Sequence, residues 1–276
     1  MSTAEASPTL ALGSSVDLHW RVDGNGPVVW LLLNGAGLPL EFWDDIAQAL
    51  SAQHTVVRMD QRNAGKTRAS GTFSLTDVAA DAAALLDHLK VERVIVAGHA
   101  WGGRVAQVFA RDHPHRVTGL VICGTGGQFP ASTSAAALTS LREAGRSSDR
   151  PRWESALEAA WCANGFSARD PQAFQAISAL MWDQAQAAAR PSRAKWDSRV
   201  APSASYWGCA RVPACLIYGT KDSQGTPRNA EDLASRMPGA QLHFIEQAGH
   251  FIIREQAAAV IALMQDFARS LAKEPA

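Results

Sequence analysis

Short runs of Val, Ile and Leu alternate along the chain with segments whose apolar residues fall three and four positions apart. The first kind reads as strand, over 17–22, 28–34, 55–60, 94–98, 119–124, 214–219 and 241–246. Most are continuously apolar, as parallel strands buried on both faces should be. The second kind predicts helices over 40–50, 75–89, 103–113, 229–236 and 255–271. In the helix at 75–89, Val78, Ala82, Leu85 and Leu89 share one face, and Ser74 stands at the capping position. Strand, turn and helix recurring in this order define an α/β fold class, a mostly parallel twisted sheet with helices on both faces.

The alternation breaks between Ala131 and Ala210. That stretch is rich in Ala, Trp and Arg, reads as several helices without a convincing strand, and is expected to be a helical lid inserted after the sixth strand. The chain then divides into a core of 14–130 and 211–276 and a lid of 131–210. With 276 residues and 47% hydrophobic content it can fill one large core with a modest insertion.

Lys plus Arg and Asp plus Glu number 26 each, and no charge run stands out, so neither nucleic acid nor an anionic membrane is an expected partner. The first 13 residues lack the basic start and apolar core of a signal peptide, and no apolar run reaches membrane-spanning length. Cys123, Cys162, Cys209 and Cys215 form no CxxC pair, and Cys123, Cys162 and Cys215 read as buried small apolar residues. A cytoplasmic location fits this usage. His and Cys are scattered without ligand spacing, so neither metal nor other cofactor is expected.

The candidate chemistry begins where the strand Val94-Ile95-Val96-Ala97 runs into Gly98-His99-Ala100-Trp101-Gly102-Gly103 and then a helix. Strand, sharp turn and helix in this order place the central residue in a strained conformation at the sheet tip. Small residues two positions to either side, here Gly98 and Gly102, let strand and helix cross closely. The tip residue is Ala100, which has no side chain able to attack carbon. The spacing Gly98-x-Ala100-x-x-Gly103 also meets a loose dinucleotide-binding fingerprint, but the following strand ends in Ile122-Cys123-Gly124, without the acid that fingerprint requires.

From about Asp17 to Leu271 the chain resembles the α/β-hydrolase superfamily. Leu33-Asn34-Gly35-Ala36-Gly37 ends an early strand where that family has its oxyanion loop, and Asp60-Gln61-Arg62-Asn63-Ala64-Gly65 is similar to its Asp-x-Arg-Gly-x-Gly turn, with Asn63 in place of a glycine. Ile217-Tyr218-Gly219-Thr220-Lys221-Asp222 ends a strand with an acid, and Gln247-Ala248-Gly249-His250-Phe251 follows the last strand. The resemblance implies that Ala100 holds the nucleophile position, that Asp222 orients His250, and that the amides of Ala36 and Trp101 form the oxyanion hole. For the acid, Asp183 and Asp197 are substitutes. Asn34 is either a pocket residue or a turn cap, and His99 and His88 read as structural or exposed.

Ala100 leaves several readings open. His250 and Asp222 could activate water on a small ester, lactone, amide, carbamate or enamine; the aminoacrylate hydrolases of pyrimidine breakdown are similar in their Gly-His-Ala-x-Gly elbow and Asp-Gln-Arg turn. The chain could instead be a silenced serine esterase or lactonase. An Asp-nucleophile epoxide hydrolase fits less well, since the loop has no Pro and the lid supplies only Tyr206. His250 could also act as base on the substrate itself, as in cofactor-free dioxygenases and lyases of the superfamily, or the site could bind without turnover. The lid's Trp153, Trp161, Trp182, Trp196, Trp207 and Phe174 are expected mostly in the core. Trp182 and Trp161, next to polar neighbours, are the pocket candidates for a small apolar or aromatic substrate. A homodimer is compatible with the sequence.

Overall fold

Neighbouring residues of the central strands point into opposite cores, and both cores are apolar. Leu31 and Leu33 pack with Val96, Leu120 and Leu216 on one side, whereas Trp30 and Leu32 pack with Ile95, Val121 and Ile217 on the other. That two-sided burial is why these strands read as continuous apolar runs. The computed structural model describes residues 8–147, 149–187, 194–197 and 203–272.

The strands are β1 (Thr9–Leu12), β2 (Val16–Asp23), β3 (Val29–Leu33), β4 (Thr55–Met59), β5 (Arg68–Ala69), β6 (Thr72–Phe73), β7 (Val94–His99), β8 (Val117–Cys123), β9 (Lys195–Trp196), β10 (Ala214–Gly219) and β11 (Gln241–Ile245). The main sheet runs β1-β2-β4-β3-β7-β8-β10-β11, with β5 added to β2. From β4 to β11 all neighbours are parallel, whereas β2 pairs antiparallel with β1, β4 and β5.

The helices are α1 (Asp44–Ser51), α2 (Leu75–His88), α3 (Trp101–Asp112), α4 (Ala135–Gly145), α5 (Arg150–Trp161), α6 (Phe166–Arg169), α7 (Pro171–Ala187), α8 (Pro227–Arg236), α9 (Ile252–Glu255) and α10 (Ala257–Leu271). One face of the sheet is covered by α2, α3 and α8, the other by α1 and α10. The insertion α4–α7 falls between β8 and β10 and buries Trp153, Leu157 and Ile177 in the second core. Side chains of that size each contribute about 1.5–3 kcal/mol on burial. Ser74 and Asp77 form a capping box at the start of α2.

Several expectations need correction. A 3-10 turn, Leu40–Trp43, precedes α1, so the helix expected over 40–50 is two elements. The last helix breaks at Gln256, whose φ of −139° is not helical. The stretch 131–210 does contain a strand: β9 pairs with β6, and two residues are too short to show any alternation. Cys162 is half-buried because it caps the end of α5, whereas Cys123 and Cys215 are fully buried. Asn63 sits at φ 68°, a left-handed conformation that Asn tolerates and that explains why it can stand where a glycine is usual.

The turn after β4 anchors the sheet end. Asp60 accepts from Leu40 N and Lys66 N, both at 2.7 Å, and from His19 Nδ1 at 2.6 Å. Arg62 forks onto Asp81 of α2 at 2.7 and 2.8 Å.

Candidate active site

Ala100 joins β7 to α3 with φ 52° and ψ −117°, a conformation that L-residues adopt only under strain. Tight packing around it enforces the turn. A Cβ on Gly98 would lie 2.3 Å from Gly102 O, and one on Gly102 would lie 2.2 Å from Leu33 O. The Ala100 amide donates to Cys123 O at 2.9 Å, tying the tip to β8.

A cavity of 440 Å³ opens over this tip, and Ala36, Ala100, Trp101, Trp161 and His250 all line it. As the first residue of α3, Trp101 has an amide without an intrahelical acceptor. The loop after β10 presents Asp222 and the loop after β11 presents His250. His250 Nδ1 lies 3.1 and 3.2 Å from the two carboxylate oxygens of Asp222. Asp222 Oδ1 also accepts from Gln224 N at 2.7 Å and Gly225 N at 2.8 Å, so the carboxylate is held in one orientation. The backbone of His250 is fixed at both ends: its N–H donates to Trp161 O and its C=O accepts from His99 Nε2, each at 2.7 Å.

Not every candidate faces the cavity. Asn34 is fully buried outside it, and its Nδ2 donates to Leu38 O at 3.0 Å and Met59 O at 3.2 Å, which is the turn role. Trp182 packs edge-to-face on Trp153 with ring centroids 5.3 Å apart and lies outside the cavity lining. Trp161 stands 6.4 Å from the His250 ring. The acid paired with His250 is Asp222, not Asp183 or Asp197.

Other residues emerge only in three dimensions. His99, expected to be structural or exposed, is fully buried, stacks on Phe42, and stands 5.3 Å from the His250 ring at the cavity wall. Burial first, and then the charge His250 can carry, push its pKa down to about 3, so it is neutral. Arg104, Phe129, Met181, Trp196 and Gln224 also line the cavity. Arg104 lies one helical turn past Ala100, a spacing visible in the sequence. The residues from the insertion left no such signal. Among the described residues no three His, Cys, Asp or Glu cluster as metal ligands, and no helix is long and apolar enough to cross a membrane.

Known proteins are similar to this chain in sequence or in fold. A putative carbamate hydrolase RutD of Variovorax paradoxus is 28% identical over 264 residues, covering 91% of this chain and 95% of that protein. The Azorhizobium caulinodans protein of the same name is 38% identical over 113 residues, 41% of this chain and 42% of that one. The enol-lactonase of Burkholderia xenovorans LB400 superposes with a TM-score of 0.76 at 24% identity, over 95% of this chain and 100% of that one. A sequence model described as the alpha/beta hydrolase fold matches residues 29–257, which spans the sheet from β3 through His250. With strand order, turn and sequence in agreement, the chain belongs to the alpha/beta hydrolase fold family.

Proposed function

We propose that this protein hydrolyses small carbonyl compounds, such as esters, lactones or carbamates, using His250 and Asp222 to activate water at a nucleophile elbow that carries Ala100. The observation that carries this reading is the Asp222–His250 pair lining the same cavity as Ala100, whose φ of 52° keeps the elbow turn although a methyl group cannot form an acyl intermediate. A site that had only to bind would have no need of a carboxylate fixing a histidine tautomer. The names borne by the relatives, carbamate hydrolase and enol-lactonase, support the same substrate range.

With Nδ1 engaged by Asp222, the proton acceptor is His250 Nε2. It takes a proton from water as the oxygen bonds to the carbonyl carbon. The carbonyl electron pair moves to oxygen, where the Ala36 and Trp101 amides donate to it. Collapse breaks the bond to the leaving group, which takes the proton from His250. An acid and an alcohol or amine result, and no covalent enzyme species forms. The insertion α4–α7 acts as a lid, bringing Trp161 and Met181 over the cavity.

The test is turnover of p-nitrophenyl esters and small lactones by the wild type, Ala100→Ser and His250→Ala. Turnover by the wild type that falls at least about 100-fold in His250→Ala is the expected result. An inert wild type with His250-dependent turnover only in Ala100→Ser would overturn the reading in favour of a silenced serine hydrolase.

A further inference from the structure

The cavity contains a guanidinium that has no acidic partner among the described residues. Arg104 Nε donates to Gly126 O at 3.1 Å, which orients the side chain, and its two Nη groups have no protein acceptor among the described residues. Other buried or partly buried guanidinium groups in this protein are matched by carboxylates: Arg58 by Asp23 and Asp44, and Arg62 by Asp81. Among the described residues no Asp or Glu lines the cavity with Arg104, and Asp222 is engaged by His250 and two amides. The guanidinium of Arg228 stacks on the lining residue Phe129 at 3.8 Å and places a second cation nearby. Much of the remaining wall is apolar, including Leu38, Met181 and Trp161, so the charge of Arg104 is weakly screened.

A guanidinium stays charged at any working pH, and its paired Nη groups match the two oxygens of a carboxylate better than a point charge does. We propose that Arg104 is a specificity-determining residue that binds a carboxylate on the substrate, so the preferred substrates are small acids whose hydrolysable carbonyl reaches Ala100 while the carboxylate docks on Arg104. This rests on the hydrolase reading above. The one-turn separation of Ala100 and Arg104 along α3, about 6 Å, limits the two groups to a short spacer.

A matched pair tests it: the p-nitrophenyl monoester of glutaric acid against p-nitrophenyl valerate. The readout is the ratio of their kcat/KM values, which is insensitive to any loss common to both. In the wild type the acid ester is favoured about tenfold or more. Arg104→Met brings the ratio close to one, and Arg104→Lys, which keeps the charge but loses the fork, leaves it in between. The same ratio in wild type and Arg104→Met overturns the proposal. Titration calorimetry with glutarate, glutaramide and inorganic phosphate reads the subsite without turnover. Glutarate binding that Arg104→Met abolishes upholds the subsite even if no ester is hydrolysed, in which case only the hydrolase reading fails. Glutarate binding that is absent or survives in Arg104→Met overturns the subsite, as does phosphate binding as tightly as glutarate.

Discussion

The carboxylate of Glu255 brackets His250: Oε2 accepts from Gly249 N and Oε1 from Phe251 N, both at 3.0 Å. The same Oε2 takes Ala163 N at 2.9 Å, so one buried side chain ties the His250 loop to the end of α5 and the segment after it. Burial raises the pKa of Glu255, and the three backbone donors oppose that shift.

Glu255→Gln tests this positioning role. A glutamine presents one acceptor oxygen and turns an NH2 group toward backbone donors, leaving at least one buried N–H without a partner. A loss of about 2–3 kcal/mol is expected from urea unfolding. Turnover of any hydrolysed ester should fall mainly in kcat, because the loop holds His250 and not the substrate. An unchanged unfolding midpoint would rule the role out.

Ala100→Gly should stabilise the protein. At φ 52° and ψ −117° the Cβ of Ala100 crowds the backbone, a strain of about 1–3 kcal/mol that glycine does not have. The greater freedom of glycine in the unfolded chain offsets about 0.4–1 kcal/mol of that gain. A net gain near 1 kcal/mol corresponds to a rise in Tm of roughly 2–4 °C. A lower Tm would mean that the surrounding structure, and not the residue, sets the turn's energy.

Sequence and structure agree best where the apolar pattern is long. The core strands β3, β4, β7, β8 and β10 and the helices α2, α3 and α10 were legible because each buries a continuous run or a full helical face. The positions of Ala100, Asp222 and His250 in turns after strands were legible because each turn directly follows an apolar run, and at Ala100 the flanking Gly98 and Gly102 mark the close crossing of strand and helix. What stayed hidden depends on contacts distant in sequence. Trp161 and Trp182 have similar polar neighbours in the chain, yet Trp161 reaches the cavity and Trp182 packs on Trp153, a difference set by side-chain contacts between α5 and α7. Asn34 looked equally suited to pocket or turn until its amide was seen bridging Leu38 and Met59. His99 hid its environment altogether, since nothing local says that Phe42 and His250 enclose it.

That enclosure makes His99 a determinant of acid stability. Its Nε2 donates to His250 O, so Nδ1 is the unprotonated nitrogen, and it has no hydrogen-bond partner among the described residues. In the folded protein its pKa is pushed down to about 3, against 6.5 for the ordinary group. Between these values the unfolded chain binds the proton and the folded one does not, so stability rises with pH through this window. The contribution is complete above pH 6.5 and is lost as pH falls toward 3. Within the window this single group accounts for at most about 1.4 kcal/mol per pH unit. Urea unfolding of the wild type and His99→Gln at pH 7, 6 and 4.5 isolates the group, because other titrating residues are common to both. Between pH 6 and 4.5 the wild type should lose roughly 2 kcal/mol more than the variant. Parallel stability curves would show that the folded protein accommodates a charged His99, and that its ring is not sealed from water as the packing of Phe42 and Phe251 around it implies.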